Sequence, residues 1–188
     1  MTEAISVEDY ARILDYLPQG HPDQSKYHRE PLAYALGEDE FKLFELVPKE
    51  GADLPVSAKV YIGKEIDLRK DILHVKRRVA YEELTVGAQK ELPFVIAEIV
   101  KEKEPRFIDF FNKAQAITTR FHMLELLPGL GKKTMWAILE ERKKGPFKDF
   151  TDFDKRVPSV HHPEKLIAKR IEMEISDPTQ KYRLFVAR

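Results

Sequence analysis

The stretch Leu126-Leu127-Pro128-Gly129-Leu130-Gly131-Lys132-Lys133-Thr134 constrains the fold more than any other part of the chain. Pro128 has no amide to donate, and its ring disfavours helical backbone in the residue before it, so a helix arriving over Arg120–Leu127 must stop there. Gly129 and Gly131 supply the conformational freedom and close approach that so short a turn needs. Leu130, between them, can point inward as the anchor of the turn. A second helix then starts at Lys132, with first amides that have no partner inside the helix. Those amides, the positive end of the helix dipole, and the charges of Lys132 and Lys133 beside Thr134 suit a phosphate oxygen.

This pattern resembles the helix-hairpin-helix motif, apolar-Pro-Gly-apolar-Gly, of proteins that grip nucleic-acid backbones without reading sequence. Met135 stands where that family usually has alanine, which bears on helix spacing more than on phosphate contact. The other use of such a corner is packing alone. Val157-Pro158-Ser159-Val160-His161-His162 has the same outline, with Ser159 and His161 in place of the glycines. We read it as a degenerate second copy with a structural role, paired with the first in one helical domain. Spacing suggests no third ligand for His161-His162, so no metal site and no cofactor is expected.

The 188 residues can bury one good core or two small ones. No apolar run reaches the roughly 18 residues that mark a membrane span, so no membrane partner is expected. The N-terminus lacks a basic and apolar signal-like segment, and the expected location is cytoplasmic. Cysteine is absent, which excludes disulfides, thiolate zinc sites and cysteine nucleophiles. Net charge is zero, but residues 1–82 carry −4 and the remainder +4. Around the turn, Lys132, Lys133, Arg142, Lys143, Lys144 and Lys148 face only Glu140 and Glu141, a local +4. A basic surface there fits a polyanion; a solvated helix face is the alternative.

Upstream, the pattern is β. Tyr10–Leu17 fits a helix capped by Ser6 and Asp9, or a strand ending at Pro18; we read a strand, because β-patterned segments follow. The polar loop from Gln19 to Pro31, with His21, Lys26, His28 and Arg29, is long enough to be a binding loop. Leu32–Leu36, Phe41–Val47, Ala58–Ile62 and Ile72–Val79 read as further strands. In the last, Leu73, Val75 and Val79 are expected inward and His74, Lys76 and Arg78 outward, while Arg77 breaks the alternation and needs a partner or solvent. Short strands in such number suit a small OB-like barrel, whose open face commonly carries nucleic acid on aromatic and basic side chains. Tyr61, Lys76, Arg77 and Arg78 are the candidates for that face. The competing reading of the basic run is edge protection.

The rest is helical. Thr85 caps a helix that Pro93 restarts or kinks, with Phe94, Val95 and Ile99 as its apolar side. Pro105 opens another, with Phe107, Phe110, Phe111 and Ala114 in one buried stripe. After the turn, Lys132–Lys144 turns Met135, Ile138 and Leu139 inward and ends at Gly145-Pro146. Trp136 faces another side, and packing is expected for it in preference to stacking on a base. A short helix near Thr151 carries Phe150 and Phe153, and Pro163–Ile175 closes the domain.

Catalytic signals are missing: no Gly-rich phosphate loop, no HExxH, no serine elbow, no close pair of carboxylates in an apolar stretch. Asp149, Asp152 and Asp154 follow the turn, as the catalytic aspartate does in glycosylases that share the motif, but their surroundings are unlike that family's. End to end, from about Tyr10 to Val186, the chain resembles an archaeal family of uncharacterised proteins, domain of unknown function 655. The resemblance is carried by Leu14-Asp15-Tyr16-Leu17-Pro18, Phe41-Lys42-Leu43-Phe44-Glu45-Leu46-Val47-Pro48, Val60-Tyr61-Ile62-Gly63-Lys64, Val75-Lys76-Arg77-Arg78, Phe110-Phe111-Asn112-Lys113-Ala114, the glycine turn and Glu141-Arg142-Lys143-Lys144. It implies an RNA-linked binding role and supplies no mechanism.

The expectation is therefore an α+β chain: an OB-like β domain over residues 1–82, connecting helices over 83–105, and a helix-hairpin-helix domain over 106–188. The expected function is non-catalytic binding of nucleic acid, RNA before DNA, with a scaffold that binds only protein as the competitor. Oligomeric state is left open.

Overall fold

The computed structural model describes residues 8–25, 27 and 29–188. Ser6, Val7, Lys26 and His28 lie outside the described residues. The protein is α+β and divides into two units. One holds the chain up to Val95 with Ile175–Pro178 and Arg183–Arg188; the other holds Ile96–Glu174 with Thr179–Tyr182. The division falls inside a helix, at the point where the sequence suggested a separate connecting segment.

The first unit is built on an antiparallel sheet of five strands: β1 (Tyr10–Leu17), β2 (Leu32–Gly37), β3 (Leu43–Pro48), β4 (Lys59–Tyr61) and β5 (Ile72–Arg78), in the order β4-β1-β2-β3-β5. Period-2 side chains put Ala11, Ile13, Ala33, Ala35, Phe44, Leu46, Val60 and Ile62 into one core. Register shifts in β1 and β5 curl the sheet. They also correct the inward set expected for β5. Between the pairs Val47↔His74 and Pro48↔Ile72 one residue of β5 is extra. Ile72 is therefore buried, while Leu73 is 55% exposed.

Buried charge fixes the β2–β3 turn. Glu8 accepts from the amides of Asp39 at 2.7 Å, Glu40 at 2.6 Å and Lys42 at 3.1 Å. Burial pushes its carboxyl above the usual range, against the pull of those three amides. A side chain on Gly37 would meet the Glu8 carboxylate at 1.4 Å, so this position excludes anything larger. Arg12 and Glu38 form a second buried pair at 2.5 Å.

A helix, α1 (Val86–Glu102), leaves this unit. Thr85 caps it, accepting from the Ala88 amide at 3.0 Å and donating to Asp15 at 2.6 Å. Pro93 lies within the helix and does not end it. Leu92, Val95, Ile96, Ile99 and Val100 are buried; Phe94, expected inward, is 69% exposed.

The second unit contains α2 (Glu104–Lys113), a two-stranded hairpin of β6 (Ala116–Thr118) and β7 (Phe121–His122), α3 (Lys132–Lys143), α4 (Phe150–Arg156) and α5 (Pro163–Ser176). The helix expected over Arg120–Leu127 is absent. In its place, β7 runs into a single 3-10 turn, Met123–Leu126, capped by His122 and Glu125. A phenylalanine core holds the helices: Phe111 and Phe147 both pack on Phe153, at 4.5 and 4.7 Å between ring centroids. Asn112 exchanges two hydrogen bonds with the backbone of Phe147. Arg156 stacks on the Phe147 ring and donates to the Glu141, Gly145 and Pro146 carbonyls, closing the C-terminal end of α3.

Candidate functional site

The glycine turn is open. Gly129 has φ +84°, the left-handed backbone that glycine accepts without strain. Gly131 instead has φ −93° and ψ −179°, an extended conformation open to any residue, so only one of the two glycines is required by backbone geometry. A side chain built at either would meet nothing within 4 Å. Leu130 is buried, as expected of the anchor. No side chain caps α3, and the first of its amides to join the helical ladder is that of Met135, bonded to the Gly131 carbonyl at 2.9 Å. The amides of Lys132, Lys133 and Thr134 stand ahead of it, at the positive end of the helix.

The two lysines differ. Lys132 is tied down, donating to the Arg120 carbonyl at 3.0 Å and to Glu125 at 2.8 Å. That bond, with the His122 amide, holds the Glu125 carboxyl below its usual range. Lys133 is exposed and makes no ion pair among the described residues. The wider basic stretch is largely accounted for. Arg142 turns inward onto the Phe111 and Ala114 carbonyls at 3.1 and 2.8 Å, while Lys143 and Lys144 pair with Glu140 and Glu141.

Buried Arg170 of α5 supports the turn from below. It pairs with Glu174 at 2.7 Å and donates to the carbonyls of Leu126 and Tyr182. The side of α3 that carries Lys132 also walls a groove of about 450 Å³, lined in part by Thr118 and Arg120 of the β6–β7 hairpin, Phe121, His122, Leu139 and Trp136. Trp136, expected to pack, is 58% exposed. His122 Nδ1 accepts from the Leu124 amide at 3.0 Å, so its proton sits on Nε2. Burial lowers the imidazole below its usual value, and Arg142 adds to the effect.

The second turn lies beside the first: Ser159, Val160 and His161 share with Gly129, Leu130 and Thr134 the lining of a small cavity of about 130 Å³. Three groups able to ligate a metal, Asp154, His162 and Glu164, have ligand atoms within 4.8 Å of one another. Sequence spacing missed this trio because Asp154 reaches it from α4. Internal bonds account for the approach: the His162 amide donates to Asp154 at 3.3 Å, and His162 Nδ1 lies 3.3 Å from Glu164.

The four candidates of the first unit lie on two strands. Tyr61 is on β4 and Lys76–Arg78 on β5, the two edge strands of the sheet. Tyr61 packs edge-on against Tyr10 and accepts from the Glu65 amide. Arg77 has the partners its position demanded: Glu83 and Glu45, each at 2.9 Å. Lys76 lies 3.6 Å from Glu45, and Arg78 donates to the Arg188 carbonyl.

Comparison with known proteins places the whole chain. It is 48% identical over 180 residues to the uncharacterized protein MJ0038 of Methanocaldococcus jannaschii, covering 95% of this chain and 80% of that one. The crystal structure of Af1531 from Archaeoglobus fulgidus superposes with a TM-score of 0.89 at 51% identity, covering 96% of this chain and 100% of that one. Residues 7–187 match the family described as protein of unknown function (DUF655), and the chain belongs to that family.

Proposed function

We propose that this protein binds a nucleic-acid backbone, RNA before DNA, with the head of α3 as the phosphate seat, and that it does so without catalysis. One observation carries this reading: the N-terminus of α3 presents amides unbonded among the described residues, at an unobstructed glycine corner, with exposed Lys133 in its first turn and no carboxylate there. Anions bind such ends because donors and dipole act together. In the finer architecture we propose, the 3-10 turn and α3 form a shortened helix-hairpin-helix, and α4 and α5 form its degenerate partner. The cavity shared by the two turns supports that pairing. An OB-like character for the curled sheet belongs to the same proposal. The ion pairs of Lys76 and Arg77 favour internal structure over ligand contact as the reading of that edge.

The test is the salt dependence of binding to a labelled single-stranded RNA, with a DNA of the same sequence as competitor. Log affinity falls linearly with log salt, and Lys133→Ala makes the slope shallower by about one ion. Salt-insensitive capture of a protein, with neither nucleic acid bound, overturns the proposal in favour of a scaffold. DNA outcompeting RNA reverses the order of the two.

A further inference from the structure

We infer that the groove beside α3 seats one unstacked base of a single strand, with Trp136 as its stacking plate. This rests on the phosphate seat proposed above and adds to it a preference for unpaired nucleotides. Trp136 is the sole tryptophan of the chain, and it presents 58% of its surface on a well-formed helix. It follows Lys132 by one helical turn and so lies on the same side of α3, about 6 Å along the axis from the first free amides. That separation matches the reach of one nucleotide from phosphate to base.

The groove suits a base in size, lining and charge. Its volume of about 450 Å³ lies within the range of small-molecule sites, roughly 300–1,000 Å³. Phe121, Met135 and Leu139 give it an apolar floor beside the indole. Among the described residues the one carboxylate in its lining, Glu125, is neutralised by Lys132 at 2.8 Å. The exposed guanidinium of Arg120 then leaves the rim positive, complementary to a polyanion. A neutral His122 on the wall keeps an Nε2 proton that can be donated to a base edge. Bases inside a duplex are already stacked on their neighbours, so an aromatic plate in a groove selects single strands, loops and bulges.

The full chain carries its own reporter, because all tryptophan emission comes from Trp136. A single-stranded oligoadenylate RNA and a duplex RNA of equal length are titrated while end-label anisotropy and tryptophan emission are read together. The single strand quenches the emission with the same midpoint as the anisotropy change, and the duplex does not. Trp136→Ala weakens single-strand binding about tenfold, leaves duplex binding and the salt slope unchanged, and Trp136→Tyr recovers part of the loss. Binding of the single strand with unchanged emission, and with Trp136→Ala equal to the parent, overturns the base seat while the phosphate seat survives. Equal quenching by the duplex also overturns it. Absence of binding by either RNA overturns the phosphate seat and the base seat with it.

Discussion

The two turns of the second unit share an outline and differ at the helix each one launches. α3 begins on Gly131, with no acid in its first turn and Lys133 exposed. α5 begins on buried Pro163, with Glu164 in its first turn and His162 before it at φ +59°. Glu164 sets the α5 dipole against a carboxylate of the protein itself, and α4 does the same with Asp149, whose side chain accepts from the Asp152 amide. Where the chain supplies its own anion, a helix end is finished. At α3 it supplies none, and an external anion has the same electrostatic place to fill.

Removing what supports the open turn gives the largest effect. Arg170 is 3% exposed and holds the Leu126 carbonyl, so Arg170→Ala removes a buried ion pair with Glu174 together with that carbonyl's donor. Urea unfolding is expected to show a loss of about 3–5 kcal/mol. Converting the open turn into the closed kind comes next. Lys133→Glu puts a carboxylate where α5 has Glu164, and RNA affinity by anisotropy is expected to fall at least about tenfold at low salt, while stability rises by about 0.3–1 kcal/mol.

Glycine substitutions sharpen the contrast within the turn. Gly129→Ala, at φ +84°, is expected to cost about 1–2 kcal/mol in unfolding experiments. Gly131→Ala, in extended backbone facing open space, leaves stability unchanged and weakens RNA binding severalfold, because the added methyl stands where the ligand approaches. The basic run on β5 supplies the control. Arg77→Ala breaks its pairs with buried Glu45 and exposed Glu83, leaving Glu45 with Lys76 at 3.6 Å, and is expected to lower stability while leaving RNA affinity within twofold.

The smallest effect is a pH dependence. His122 is buried with its imidazole held below the ordinary value of about 6.5, so its neutral form favours the fold. That contribution is complete above about pH 6.5 and is lost as pH falls from there through the lowered folded value. Stability measured by urea midpoint against pH should decline over that window, and His122→Asn should flatten the decline.

Much of this was legible from residue order alone. Val60 and Ile62 alternate with Lys59 and Tyr61, which is enough to place β4 and its buried face. Thr85 announced its cap, and Phe107 and Phe111 announced a core stripe, because both signals are local. Misreadings arose where distant residues decide. The extra residue in β5 depends on pairing with Val47 and Pro48, so Leu73 looked inward by alternation and is not. Met123–Leu126 read as the end of a helix, but β7 pairs with β6 and leaves room for a single 3-10 turn. The head of α3 could be read directly from Pro128, Gly129 and Leu130. The engagement of Lys132 by Glu125 and the exposure of Trp136 could not, although their spacings of seven residues and one helical turn from or to Lys132 were a usable signal. Asp154 is eight residues from His162, and the bend between α4 and α5 alone brings them together.

The central claim is that the free amides of α3 are where a nucleic-acid phosphate sits. Amide chemical shifts of the isotopically labelled protein, followed during titration with a single-stranded RNA, test it most directly. The largest shifts are expected at Lys132, Lys133 and Thr134, with those of Ser159–Glu164 small and Lys133→Glu abolishing the set. Saturable RNA binding that leaves these three amides unmoved would contradict the account.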